Sequence, residues 1–153
     1  MDIGLDVTAT QCSSSMTEMH TVYLGLGSNL GDKRAHIFKA VEKINELIGD
    51  VVRQSALFVS KAWGFKSPHL FFNACVCCHT SLSPRELLCA TQQIEREMGR
   101  TEKSHDGVYH DRVIDIDILL YDDLRVDEPD LQIPHPLMEQ RDFVMVPLRY
   151  IMQ

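Results

Sequence analysis

No window of this chain approaches the apolar length of a membrane-spanning helix, and its start lacks the basic opening and apolar stretch of a signal peptide. Basic residues are in deficit as well. Fifteen Lys and Arg stand against 22 Asp and Glu, a formal net charge of -7, which argues against a nucleic-acid surface. The glycine-bearing segment Gly25-x-Gly27-Ser28-Asn29-x-Gly31 has no Gly-Lys-Ser/Thr ending and not the G-x-G-x-x-G spacing. Neither a P-loop nor a dinucleotide fingerprint is supported, so these glycines are read as serving close packing and the turn into a first helix. Cysteine is present in an odd count of five. Cys75 and Cys78 formally make C-x-x-C, but they fall on a strand pattern, where positions three apart point to opposite faces, so a zinc clip is not expected. Cys75, Cys77, Cys78 and Cys89 are read as small core-filling thiols in a reducing compartment, which makes the cytoplasm the expected location.

What is present fits one globular domain. The chain has 153 residues, with no low-complexity linker after residue 20 and no internal repeat. Residues 1–20 are rich in Ser, Thr and Met and show little periodicity, so a flexible N-terminal extension is expected before a domain over 21–153. Within that domain Thr21 to Gly27 reads as a strand. Asp32 to Ile48 reads as a helix with Ile37, Val41, Ile44 and Ile48 on one stripe. Val51 to Val59 and Phe71 to Thr80 read as the next strands. Ser83, Pro84 and Glu86 spell a capped helix start, after which Leu87, Thr91, Ile94 and Met98 face inward. A further strand carries Asp115 and Asp117. The order β-α-β-β-α-β predicts an α+β fold, a ferredoxin-like βαββαβ sandwich.

The Asp-bearing strand is the most informative stretch. Alternation places Asp115 and Asp117 on one face about 7 Å apart, with Ile114, Ile116, Ile118 and Leu120 turned into a core. Two carboxylates at that spacing suit a hard divalent cation that keeps waters and substrate phosphates as its other ligands. They equally suit a strand with one solvated face. Glu95, Arg100, Arg112, His135 and Arg141 lie around the pair in the sequence, and guanidinium forks match phosphate oxygens bidentately. On the second helix Leu88, Gln92 and Glu95 form a row beside the core stripe.

Taken in order, Tyr23-Leu24-Gly25-Leu26-Gly27-Ser28-Asn29-Leu30-Gly31-Asp32, Phe72-Asn73-Ala74, Glu95 with Gly99-Arg100, Asp111-Arg112-Val113-Ile114-Asp115-Ile116-Asp117, Pro134-His135-Pro136 and Arg141-Asp142-Phe143-Val144 resemble the 6-hydroxymethyl-7,8-dihydropterin pyrophosphokinases of folate biosynthesis. The resemblance covers about Thr21 to Ile151. It implies the same α+β plan with additional elements, and transfer of pyrophosphate from ATP to the pterin hydroxymethyl group with release of AMP. By matching position it implies Asp115 and Asp117 as ligands of two Mg²⁺ ions, and Arg100 and Arg112 beside them as catalytic residues. ATP would be held by Gln92, Glu95, Arg100, Arg112, His135 and Arg141. Pterin would be held by Ser60, Ala62, Trp63, Phe71, Asn73, Asp115 and Phe143. A monomer is expected, without nucleic-acid or membrane partners.

The departures from that pattern fall in loops. His110-Asp111 precede Arg112 where the family commonly has Gly-Pro, and Glu102-Lys103 stand where a second Arg is often found. A Lys lacks the planar fork of an Arg. The segment 60–64 also lacks the usual prolines. This loop, with Trp63, and the segment from Arg100 to Arg112 are expected to act as lids over the site. Two other classes remain open on the residues alone. One is a metal-dependent hydrolase using Asp115, Asp117 and His135; the other is a nucleotide-binding module without chemistry.

Overall fold

In the computed structural model, which describes residues 18–99 and 111–152, the first strand, β1, spans His20–Ser28. Gly31 takes the left-handed conformation, φ 68°, that the turn into the first helix requires. Helix α1, Lys33–Leu47, then starts with Asp32 accepting a hydrogen bond from the Ala35 amide at 3.1 Å. The single strand expected over Val51 to Val59 is two, β2 at Gly49–Gln54 and β3 at Phe58–Ser60. Between them Ser55 is buried and bonds Cys75 twice, donating from its amide and accepting at its hydroxyl, both at 2.9 Å. The chain therefore steps along one neighbour, β4 at Phe71–Thr80, without leaving it.

Helix α2, Pro84–Glu97, begins with the expected capping box between Ser83 and Glu86. Strand β5, Asp115–Tyr121, completes a fully antiparallel sheet of order β2-β4-β1-β5, with β3 pairing the far end of β4. This is the predicted ferredoxin-like arrangement. The additions are a hairpin, β6 Val126–Glu128 with β7 Leu131–Ile133, a 3₁₀ turn over Met138–Gln140, and helix α3, Asp142–Ile151.

Each sheet face is covered. Val22, Leu24 and Leu26 of β1 and Ile114, Ile116 and Ile118 form a core with Ile37 and Ile44 of α1 and Leu87 and Ile94 of α2. On the opposite face Cys75, Cys77 and Leu119 pack beneath Val144, Leu148 and Ile151 of α3. Cys75 and Cys78 thus face opposite ways, as the strand period requires. Two expectations need correcting. Cys89 is exposed on α2 rather than core-filling. Leu120 does not join the helix-side core, because the β1–β5 register shifts between Tyr23 and Leu24, so Leu119 and Leu120 both lie on the α3 side. A bulge of one residue inverts the alternation beyond it.

Candidate active site

Three adjacent strands build the floor. In register, Asn73 of β4, Gly27 of β1 and Asp115 of β5 form one rung, and Cys75, Gly25 and Asp117 form the next. Both middle positions lack a side chain, so the sheet is hollow between its polar flanks. A Cβ on Gly27 would stand 3.4 Å from Asn73 Oδ1 and 3.6 Å from the Phe71 ring. A Cβ on Gly25 would stand 3.4 Å from Leu119. Over this floor lies a cavity of about 310 Å³, lined by Ser60, Trp63 and Phe71 together with Arg112, His135, Arg141 and Phe143.

The polar groups are held in fixed poses. Asn73, 3% exposed, donates its amide to the Phe58 carbonyl at 2.8 Å and the Ser60 hydroxyl at 2.9 Å, which turns Oδ1 toward Gly27. Arg112 Nη1 stands 3.5 Å from Asp115 Oδ2, and its guanidinium lies over the Phe71 ring at 5.2 Å and the Phe65 ring at 5.8 Å. The buried Arg141 guanidinium stacks on Trp63 at 4.3 Å and approaches Phe143 at 5.6 Å. His135 is tied by its amide to the Leu119 carbonyl at 3.1 Å, and its Nδ1 accepts the Leu137 amide at 3.3 Å. In the neutral ring the proton then sits on Nε2. Burial, with the Asp117 charge adding to it, pushes the Cys75 thiol up to about 12, so this floor residue stays protonated and is no nucleophile.

A family model described as 7,8-dihydro-6-hydroxymethylpterin-pyrophosphokinase matches residues 23–153. The chain belongs to this family. It is 50% identical over 131 residues to the 2-amino-4-hydroxy-6-hydroxymethyldihydropteridine pyrophosphokinase of Porphyromonas gingivalis, covering 85% of this chain and 89% of that one. It is 46% identical over 130 residues to the Aquifex aeolicus protein of the same name, covering 85% and 79%. Among solved structures, an HPPK-DHPS in complex with substrates superposes with a TM-score of 0.70 at 12% identity, over 88% of this chain and 40% of that one. A Plasmodium falciparum HPPK-DHPS superposes at 0.67 and 15%, over 90% and 43%. This chain therefore spans about two fifths of those solved chains, and at such identities they speak for the fold alone.

Set against the residues that the family pattern nominated, the structure gathers Ser60, Trp63, Phe71, Asn73, Arg112, Asp115, Asp117, His135, Arg141 and Phe143 around one cavity. Ala62 is half-buried on the same loop but does not line it, and Arg100 lies outside the described residues. Gln92 and Glu95 are not in the wall either. Glu95 is 3% exposed and accepts the Ile116 amide at 2.7 Å, so its carboxylate grips the backbone between the two aspartates. Asn29, which the sequence places in the glycine-bearing segment without a role in the chemistry, has a structural one. This residue is fully buried, donating to Asp111 at 2.7 Å and accepting from the Arg112 amide at 2.6 Å. The signal in the sequence is an Asn beside glycines at the end of an apolar strand, and its burial in the structure obliges the side chain to find partners.

Proposed function

We propose that this chain transfers the β,γ-pyrophosphoryl group of ATP to the hydroxymethyl oxygen of 6-hydroxymethyl-7,8-dihydropterin, releasing AMP, with the cavity divided between the two substrates. The observation that carries this is the pair of rungs across β1: a fixed amide on one flank and two half-buried carboxylates on the other, around one cavity, in a chain of this family. Pterin is a flat, hydrogen-bonding bicycle. Asn73 Oδ1 would accept from its edge, Phe71 and Phe143 would offer ring faces, and Ser60 and Trp63 would close the near side, with Ala62 behind them on the loop.

Arg112, His135 and Arg141 would bind phosphate oxygens. Stacking on Trp63 engages the face of the Arg141 fork, and the N–H edge is the part that reads phosphate. His135 would donate from Nε2. Gln92 and Arg100 are proposed as the remaining contributors to the ATP side, and Glu95 serves that side indirectly, by holding the Ile116 amide between the two aspartates. No protein nucleophile is needed, because phosphoryl transfer depends on positioning and charge neutralisation.

The donor set at the rungs fits Mg²⁺. Two carboxylates facing a cavity with room for water and phosphate oxygens are what a small hard cation with few protein ligands takes. Asp115 and Asp117 would hold two such ions, which when bound supply neutralisation of the phosphates and acidification of the attacking hydroxyl. The chain's own part is to keep these carboxylates apart from the ring-binding amide by one glycine's width. A monomeric cytoplasmic domain over residues 21–153 behind an N-terminal extension is proposed too; the described cysteines are all free thiols, which supports a reducing compartment.

Release of AMP from ATP and Mg²⁺ only when the hydroxymethyldihydropterin is added is the expected outcome. Inorganic phosphate without pterin would make the protein a hydrolase. ATP-analogue binding with neither product would make it a binding module.

A further inference from the structure

The two rungs that carry a glycine on β1 are followed along the sheet by one that does not. On this third rung Arg53 of β2, Cys77 of β4, Tyr23 of β1 and Leu120 of β5 stand opposite one another in register. Cys77, Tyr23 and Leu120 belong to the apolar cluster that holds Leu148 and Ile151, in the last turn of α3. The hollow ends here. Arg53 adds a polar tie to the same turn, its Nη1 donating to the Ile151 carbonyl at 3.0 Å across 98 residues of chain. A guanidinium suits that place, because the last carbonyls of a helix have no partner within it and form the negative end of its dipole.

The other end of α3 lies over the hollow rungs, and its first turn presents Phe143 and Val144 to the cavity, with Arg141 just before them. Among the described residues no side chain caps that turn. It is met by the Cys75 thiol, a weak donor, which reaches the Val144 carbonyl at 3.7 Å, and by Trp63, stacked on the Arg141 guanidinium at 4.3 Å. A helix of 10 residues is about 15 Å long, so a tilt at its seated end is carried to the end over the cavity. The height of Phe143 and Arg141 above the floor is therefore set from the far end.

We propose that Arg53 is a positioning residue for this site, the clamp at the seated end of α3 that fixes how far Phe143 and Arg141 stand above the glycine floor. It does not line the cavity and acts only through the helix. The inference rests on the proposed function for the identity of the substrates, and the placing of α3 does not depend on it.

The test compares Arg53→Met, which keeps the apolar stem and loses the donor, with Arg53→Lys, which keeps a cationic donor. Ile44→Val serves as the control, since it loosens the core on the sheet face opposite α3. Trp63 is the sole tryptophan and lies on Arg141, so acrylamide quenching without ligands reports where the first turn of α3 stands. Arg53→Met should raise the quenching constant about twofold and the KM for pterin on the order of fivefold, with kcat changed less, the scale of one hydrogen bond from a charged donor. Arg53→Lys should recover most of both changes. Ile44→Val should lower the melting temperature and leave quenching and KM at the parent values. Quenching and KM unchanged in Arg53→Met would overturn the proposal. So would an Ile44→Val that reproduces the changes, because general loosening would then account for them. Should Arg53→Met fail to fold, Arg53→Gln, whose shorter neutral side chain cannot span to Ile151, decides on the same two readings. If the unmodified chain forms no AMP, the functional reading fails, yet the ligand-free quenching still decides the clamp.

Discussion

At Gly25 and Gly27 the absence of a Cβ shapes the site, because any side chain there would fill the space that separates Asn73 from Asp115 and Cys75 from Asp117. The aspartates then face a cavity and not a partner row of side chains. Each is half-buried and reaches no apolar core, so truncation should spare the fold. Asp117→Ala is expected to lower turnover by about 100-fold or more, the scale on which a fixed charge at a transferring group acts, with an unchanged circular dichroism spectrum. Near-normal AMP release by this variant at saturating Mg²⁺ would remove the metal role from Asp117.

At the level of elements, β5 is an edge strand whose outer backbone is held by α2. Glu95 reaches from the helix to the Ile116 amide, and the carboxylate is buried in doing so. A buried amide left without its acceptor costs on the order of 1–3 kcal/mol. Glu95→Ala should lose roughly that much in a urea titration, and Glu95→Gln, which retains a carbonyl oxygen, clearly less. If the alanine variant unfolds at the parent midpoint and only its ATP-analogue affinity drops, Glu95 is a nucleotide ligand and does not hold the strand. The hairpin β6–β7 has its own fastening, Arg85 at the start of α2 pairing with Glu128 and with Asp130 at 2.7 Å. That pairing is exposed, and little stability is expected from it.

For the whole molecule, both sheet faces are closed by helices, but the α3 side is covered only in part, and the cavity occupies the remainder. Ligands that fill it bind the folded chain alone. At a hundredfold excess over the dissociation constant such binding stabilises by about 2.7 kcal/mol, roughly 8–15 °C in melting temperature for a domain of this size. An inert ATP analogue with pterin and Mg²⁺ should produce a shift of that order, and EDTA should cancel most of it. A shift that survives the chelator would show that binding does not depend on the metal.

The sequence alone determined the βαββαβ order of the central sheet and its two helices, the capped start at Ser83, the opposite facing of Cys75 and Cys78, and the family, because each rests on local periodicity or on residues quoted in order. Most of the cavity wall was legible for the same reason: alternation put Asp115 with Asp117, and motif position nominated Asn73, Arg112 and Phe143. Tertiary structure decided the rest. Where the Glu95 carboxylate finds its partner, where the bulge sends Leu120, that Arg141 stacks on Trp63, and that Asn29 bonds Asp111 all depend on which groups meet across distant stretches of chain, 21, 78 and 82 residues apart for the Glu95, Arg141 and Asn29 contacts. Periodicity says which face a side chain leaves from, but its partner there is set by how the sheet twists and which segment crosses it, and no local pattern encodes that.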